Sequence, residues 1–201
     1  MARVLRRSWK QLLAQAFRRY FINTVFDATF VAMGIVVTAS VTPGFEVRTI
    51  VHTMFAATMA LGISTGTSVY EAEKVEAEIR LRELERAMLT ELSDTEAKHA
   101  LDISRYLIVA ANVAAPLVIF AVTVSPFLAM EWVGLDRSLA GTVAVLVALT
   151  VLFSVGAYLA RLAGGPQWRK GLRMALIGVL TFGAIWLIQT FPAWLAFFGL
   201  A

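Results

Sequence analysis

Apolar and polar residues follow one another along this chain in long blocks. Five blocks are apolar over about 20 residues or more, the helix length needed to cross the hydrocarbon core of a bilayer. We predict one transmembrane helix in each block, over residues 21–42, 50–70, 106–130, 139–160 and 174–198. The fold class is then all-α, a polytopic membrane protein with transmembrane helices 1–2 in residues 21–70 and helices 3–5 in residues 106–201.

The longest polar block, residues 71–105, separates the second and third predicted spans and holds ten of the fourteen acidic residues. Its even mixture of acidic and basic residues is typical of solvated helices. The stretch "SDTE" at 93–96 is a capping box, which predicts that a second helix starts at Ser93 and runs into the third span. We therefore predict a cytoplasmic helical hairpin in residues 71–105.

Residues 1–20 form a basic block before the first span. At helical spacing the apolar residues of this block share one face, and most of its Arg and Lys residues lie elsewhere, which predicts an interfacial amphipathic helix. A secretory signal is the alternative, but the apolar run that follows is too long and lacks a convincing cleavage site. The residues of the apolar face are Leu5, Trp9, Leu12, Leu13 and Ala16.

The basic residues predict the orientation of the chain. Sixteen of the eighteen Lys and Arg residues fall in the N-terminal block, in residues 71–105 and in the linker 161–173. Positively charged loops stay in the cytoplasm, so the N-terminus is expected inside and the C-terminus outside, as an odd number of spans requires. We expect a multi-pass protein of a prokaryotic cell membrane.

Composition supports the membrane class. Hydrophobic residues make up 59% of the 201 positions and charged residues 16%, with a mean hydropathy of +0.73. Soluble domains carry about 25% charged residues. The absence of Cys excludes disulfides, iron–sulfur clusters and thiolate metal sites. Because the net charge of +4 follows the membrane topology, we expect a lipid bilayer and no nucleic acid as partner.

The stretch "GISTG" at 62–66 fits two motifs. As G-x-S-x-G it offers Ser64 as a nucleophile, which needs a base within hydrogen-bonding distance. His52 is twelve residues earlier on the same helix, roughly 18 Å away, and His99 lies in the charged segment. As G-x-x-x-G, Gly62 and Gly66 form a close-packing helix face. We favour this second interpretation and predict that the protein is not an enzyme.

Asp27 is the only Asp, Glu, Lys or Arg in the five predicted spans. A carboxylate inside a membrane span is costly and is by default a functional-site hypothesis. The alternative is that Asp27 lies near the cytoplasmic end and reaches water or caps a neighbouring helix. Counted from the cytoplasmic ends, Asp27 is level with Ser64 and Thr67, with Asn112 somewhat deeper, so we expect these residues to line one polar cavity.

Four stretches resemble the vacuolar iron transporter family. "NTVFDATFVAMGIVV" resembles its first span and "MALGISTGTSVYEAEKVE" its second. "AAPLVIFAVTVSPFL" is similar to its third span, and "LFSVGAYLARLAGGPQWRKGLRMALIGVL" to the connection between its fourth and fifth spans. The resemblance covers nearly the whole chain, with the same number of spans and the same orientation. It implies a homodimer that moves Fe²⁺, and often Mn²⁺, out of the cytosol in exchange for protons.

The resemblance also implies a metal site. Asp27 corresponds to the metal-binding aspartate of the first helix and Gly66 to a glycine of the second. The chain departs from the family at Ile63, where a methionine ligand is expected, and at Thr67, where a glutamate is expected. The oxygens that remain, with Ser64 and Thr67 beside Asp27, suit hard divalent cations.

Methionine thioethers are a possible addition to this site. Met59 lies one helical turn before Ile63, and Met33 lies deeper on the first helix. Methionine in an apolar helix more often fills the core. We retain Met59 as a candidate ligand.

In the family the cytoplasmic segment collects the cation through glutamates. Here Glu73, Glu76 and Glu83 share a helical face, although Glu76 with Arg80, and Glu78 with Arg82, would form neutralising i,i+4 pairs. Glu96 and His99 are three residues apart, the spacing used by carboxylate–histidine metal sites. The candidate metal ligands are therefore Asp27, Met59, Ser64, Thr67, Glu73, Glu76, Glu96 and His99.

The expected function is export of Fe²⁺ or Mn²⁺ from the cytosol in exchange for protons, with the metal as transported ion and no permanently bound cofactor. Asp27 would bind the cation when ionised and release it when protonated. The alternative is a membrane scaffold or sensor subunit that keeps the transporter fold without transport, which the departures at Ile63 and Thr67 favour.

Overall fold

The computed structural model describes residues 2–42, 44, 46–89, 96–134 and 136–190, and the chain forms five α-helices within them. Each of the five is long and apolar enough to span a membrane. The predicted all-α fold with five candidate membrane spans is thus confirmed for the described residues. The helices are α1 (Ala2–Val41), α2 (Val47–Met88), α3 (Glu96–Val133), α4 (Arg137–Leu162) and α5 (Gln167–Thr190).

The first three helices are longer than a bilayer is thick. They contain 40, 42 and 38 residues, or about 60 Å each at 1.5 Å per residue, against a hydrocarbon core of about 30 Å. The predicted boundaries at residues 20, 70 and 105 all fall inside continuous helices. No Gly or Pro interrupts the chain at these points, so the helical hydrogen bonds continue from the apolar into the charged residues.

Glycines follow the ends of α3 and α4. Gly134 has φ 69° and Gly164 has φ 68°, in the left-handed region that a side chain disfavours. Beside Gly164, the N–H groups of Ala163 and Gly165 both donate to the Ala160 carbonyl, at 3.1 and 2.9 Å. These bonds satisfy a carbonyl that would otherwise have no hydrogen-bond donor at the end of α4.

Helix α3 continues through two prolines, Pro116 and Pro126. A proline inside a helix has no N–H to donate to the carbonyl four residues earlier. For Pro126 that carbonyl belongs to Val122, and the Ser125 hydroxyl donates to it at 2.8 Å instead. The side chain next to the proline therefore replaces the missing backbone bond.

The chain divides into two compact units, and α1, α2 and α3 each contribute to both. The first unit comprises residues 1–25 and 60–116, and the second comprises residues 26–59 and 117–201. In the first unit Val69 of α2 and Ile108 of α3 are buried together, with Tyr20 of α1 packed against them. This small apolar core joins parts of three helices.

The second unit has a larger apolar core and a close pair of helices. Met33 and Val37 of α1 are buried with Ala148 of α4, and four half-buried apolar residues pack against them. Helices α4 and α5 meet at glycines: a Cβ at Gly156 would lie 2.8 Å from the Lys170 carbonyl oxygen. The four half-buried residues are Phe30, Val145, Phe182 and Ile185.

Candidate functional site

The glycine motif of α2 packs against α3 in the first unit. A Cβ at Gly62 would lie 3.2 Å from the Val113 carbonyl oxygen, and a Cβ at Gly66 would lie 2.5 Å from Val113 Cγ2. Larger residues at these positions would push the two helices apart. The close-packing interpretation of the G-x-x-x-G motif is confirmed, and the contact lies within one chain.

Because Gly62 and Gly66 face α3, the neighbouring residues on the other sides of α2 are free of that contact. Ser64 and Thr67 are exposed on α2, and Ile63 is 60% exposed on the same side. The Thr67 hydroxyl donates to the Ile63 carbonyl at 2.8 Å, so the lone pairs of its oxygen remain available to accept a hydrogen bond or bind a cation. Two predicted ligands, Ser64 and Thr67, are thus exposed in the first unit, as is Ile63.

Asn112 lies in the interior of the same unit. Its side chain is fully buried, and its Oδ1 accepts a 2.8 Å hydrogen bond from the Thr24 hydroxyl of α1. Its Nδ2 donates to the Ile108 carbonyl at 2.8 Å. The expectation that Asn112 lines a cavity with the hydroxyls of Ser64 and Thr67 is therefore wrong. A polar side chain in an apolar helix can line a cavity or bind a neighbouring helix, and Asn112 binds a neighbouring helix, linking α1 to α3.

Asp27 and Met59 belong to the second unit, and both are exposed. Asp27 lies on α1 ten residues after the start of the candidate span Phe17–Ser40, so it is about 15 Å along that span. Met33, the other methionine considered as a thioether donor, is fully buried against Val37 and Ala148. Met33 fills the core, as methionine in an apolar helix usually does.

The acidic residues of α2 do not form one exposed surface. Glu73 is only 7% exposed, one turn beyond the buried Val69, and forms no hydrogen bond or ion pair within the described part of the chain. Glu76 has a 49% exposed side chain that accepts from Arg80 at 3.0 Å. Glu83 is also exposed. The predicted i,i+4 pair of Glu76 is confirmed. The three glutamates share one side of the continuous helix α2, as predicted, but only Glu76 and Glu83 are exposed there.

No ion pair joins Glu78 to Arg82 among the described residues. Glu96 and His99 lie three residues apart at the start of α3, but their side chains, like Ser93, fall outside the described residues. Over the residues that the structure describes, no three His, Cys, Asp or Glu side chains come together as a metal site.

A cluster around Arg105 was missed by the sequence analysis. Its guanidinium lies 4.9 Å from the ring centroid of Tyr70 on α2 and 5.2 Å from that of Tyr106 on α3. Asp102 pairs with the same guanidinium at 3.0 Å, while Arg105 Nε is buried without a hydrogen bond. The available signal was the pair of tyrosines at the ends of two predicted spans, where aromatic belts form.

Comparison of the chain with protein-family models and with the curated proteins finds no match.

Proposed function

We propose that this protein exports a divalent cation, Fe²⁺ or Mn²⁺, from the cytosol in exchange for protons. The observation that carries the proposal is Asp27, an exposed carboxylate in a candidate span whose mean hydropathy is 1.7. An acidic residue at the centre of a membrane helix costs about 2.5–3.5 kcal/mol on insertion scales. Such a residue is tolerated where it faces water, a cation or another subunit.

The hydroxyls of α2 support the same proposal. Ser64 and Thr67 are exposed although their helix is a candidate span. Carboxylate and hydroxyl oxygens suit Mn²⁺ and, less selectively, Fe²⁺ or Mg²⁺. Asp27 ionised would attract the cation, and a proton arriving from the other side of the membrane would displace it.

A homodimer is part of the proposal. The candidate ligands are exposed in the single chain, and the described residues form no three-ligand group. A second copy would cover the polar surfaces that are unfavourable against lipid and would double the number of oxygens available to a cation. The site is then expected to be complete only in the assembled protein.

The charged ends of α2 and α3 are proposed to lie in the cytoplasm as a helical hairpin, with the N-terminus inside and the C-terminus outside. Helix α2 continues to Met88 and α3 begins at Glu96, so each carries charged residues beyond its apolar part. Glu73 and Glu76 would raise the local cation concentration. Arg80 neutralises Glu76 and Glu73 is buried, so we expect their effect on cation loading to be small beside that of Asp27.

A scaffold or sensor subunit that keeps the fold without transport is the second candidate. It is favoured by Ile63, whose exposed side chain offers no ligand atom, and by the absence of a three-ligand group in the described residues. A scaffold would need the exposed polar surfaces only for binding a partner protein.

Uptake into proteoliposomes that contain only this protein tests the proposal. Fe²⁺, Mn²⁺, Zn²⁺ and Mg²⁺ are offered separately, with and without a pH gradient. We expect proton-coupled Mn²⁺ or Fe²⁺ transport by the parent, and none by Asp27→Asn at unchanged expression and assembly. The amide keeps the shape of the carboxylate but cannot ionise.

The matched controls are threonines. Thr67 and Thr150 are both exposed, and each donates to the carbonyl four residues earlier at 2.8 Å. Thr67→Val should slow transport, whereas Thr150→Val should leave it unchanged. Parent-like rate and pH dependence in Asp27→Asn would remove Asp27 from the mechanism. Failure of the parent to move any of the four cations would favour the scaffold.

A further inference from the structure

The second unit has an open cleft along α1 that none of the proposed ligands lines. Its volume is about 320 Å³, within the range of small-molecule sites. A Cβ at Gly34 would meet only Ile185 Cδ1, at 3.8 Å, so the missing side chain at this position leaves the space open. The lining residues are Phe30, Val31, Gly34, Ile35, Thr38 and Thr53.

The cleft is polar at one end and apolar at the other. Thr38 lies three residues before the end of α1, and Thr53 six residues after the start of α2, which is about 5 and 9 Å from those helix ends. Phe30 lies about 12 Å further along α1 from Thr38. The two hydroxyls are therefore near the membrane surface, and the apolar part extends towards the middle of the span.

The two hydroxyls differ in what they bind. Thr38 donates to the Gly34 carbonyl at 2.9 Å and accepts from Gln189 Nε2 of α5 at 3.0 Å, which fixes its orientation. Thr53 forms no hydrogen bond within the described part of the chain. Other exposed threonines, such as Thr142 and Thr150, donate to their own helix. Thr53 thus offers the cleft a donor that the protein does not use.

We propose that this cleft binds one acyl chain of a membrane glycerolipid, with an ester oxygen accepting from Thr53 and the chain extending towards Phe30. The polarity of the cleft matches that of a lipid at the boundary between headgroups and hydrocarbon. An extended peptide segment fits poorly, because its backbone N–H and C=O groups would find only two polar partners there. A hydrocarbon chain needs none.

Photo-crosslinking in vesicles tests the assignment. The probe is a phosphatidylcholine with a diazirine in one acyl chain, present as a minor component of phosphatidylcholine vesicles containing the full chain. We expect labelling at residues 30–38 and at Thr53 to exceed that at Leu180, which is 72% exposed on α5. Even labelling of all exposed apolar residues would show ordinary annular lipid and overturn the proposal.

Two variants fill the cleft. Gly34→Leu places a side chain in the open space, and Val31→Trp does so from an exposed position if Gly34→Leu fails to fold. Labelling of the cleft should fall at least about tenfold, since several methylenes of the lipid lose their contacts. Gly183→Leu is the matched control, because nothing lies within 4 Å of a Cβ there, and it should label like the parent.

Thr53→Val tests the polar end. Loss of one ordinary hydrogen bond should lower labelling about fivefold, with the cleft otherwise unchanged. Labelling of Gly34→Leu and Val31→Trp at the parent level would overturn the proposal. The proposal would also be overturned if the cleft of the parent were not labelled and these variants formed smaller oligomers than the parent. That result would show that a second copy of the chain occupies the cleft.

Discussion

The interiors of the two units are held together by different kinds of contact. In the first unit the buried residues include Asn112, bonded to Thr24 of another helix at 2.8 Å, and the guanidinium of Arg105 lies over two rings. In the second unit the buried Thr58 donates only to carbonyls of its own helix.

Both units also pack at glycines, but the backbones approach more closely in the second, where a Cβ at Gly156 of α4 would lie 2.8 Å from a carbonyl oxygen of α5, against 3.2 Å for Gly62 in the first unit. The second unit also has an interhelical side-chain bond at its exposed edge, from Gln189 to Thr38.

The difference has an energetic consequence. A hydrogen bond between membrane helices contributes little, about 0.6 kcal/mol on average, because the separated helices also find partners. A side chain forced against a neighbouring backbone cannot be relieved by an alternative partner, and it lowers the free energy of unfolding by about 1–3 kcal/mol or more. The second unit should therefore be the more sensitive to added volume, and the first the more sensitive to changed polarity.

Gly156→Leu should have the largest effect. A Cβ at Gly156 would lie 2.8 Å from the Lys170 carbonyl oxygen and 3.1 Å from Gly171 Cα, and backbone atoms cannot rotate away. We expect a loss of about 3 kcal/mol or more in the free energy of unfolding, measured by denaturant titration in micelles. Gly183→Leu, which meets no atom within 4 Å, should be close to neutral.

Gly66→Leu extends the test to the first unit. The nearest atom to a Cβ at Gly66 is Val113 Cγ2, at 2.5 Å, which is part of a side chain and yields more easily than backbone. We expect a loss of about 2 kcal/mol, by the same titration. Ser64→Ala, on the exposed side of α2, should change stability little. A larger loss in Gly66→Leu than in Gly156→Leu would reverse the comparison.

The bond from Thr24 to Asn112 should contribute less than either glycine contact. A double-mutant cycle with Thr24→Val and Asn112→Leu isolates it, and we expect a coupling energy of about 1 kcal/mol. Zero coupling would mean that the two helices keep their positions without this bond. The interior of the first unit would then resemble that of the second.

Arg105→Lys should have the smallest effect. Lysine keeps the charge opposite Asp102 but loses the planar group over Tyr70 and Tyr106, at a cost of about 0.5–1 kcal/mol. Removing the unpartnered Nε offsets part of that loss. We expect a net change of about 0.5 kcal/mol in thermal or denaturant unfolding. A loss above the coupling energy of Thr24 with Asn112 would mean that the ring contacts of Arg105 contribute more to the first unit than that hydrogen bond does.

The features predicted correctly from sequence involve residues close together in the chain. The apolar blocks became five candidate spans because helix length and composition are local properties. The pair of Glu76 with Arg80 formed because i and i+4 are neighbours on any helix. The glycines of "GISTG" were correctly interpreted as a packing face, since an apolar helix with two small residues one turn apart favours close approach.

The errors concern residues whose surroundings come from another helix. Asn112 was expected in a cavity, and it is buried against Thr24, which is 88 positions away in the chain. Spacing within one helix states which residues share a side. It does not state which side meets a neighbour.

The sequence by itself determined that the chain is all-α, that five of its stretches are long and apolar enough to span a membrane, and that α2 has a glycine face. Only the tertiary structure decided that Val113 of α3 meets that face, and this one contact places Ser64 and Thr67 on the exposed side. It also decided that Glu73 is buried while Glu76 is exposed. The physical reason is the separation of the interacting residues along the sequence. Helical hydrogen bonds join residues four positions apart, whereas the burial of a side chain depends on helices that are distant in sequence.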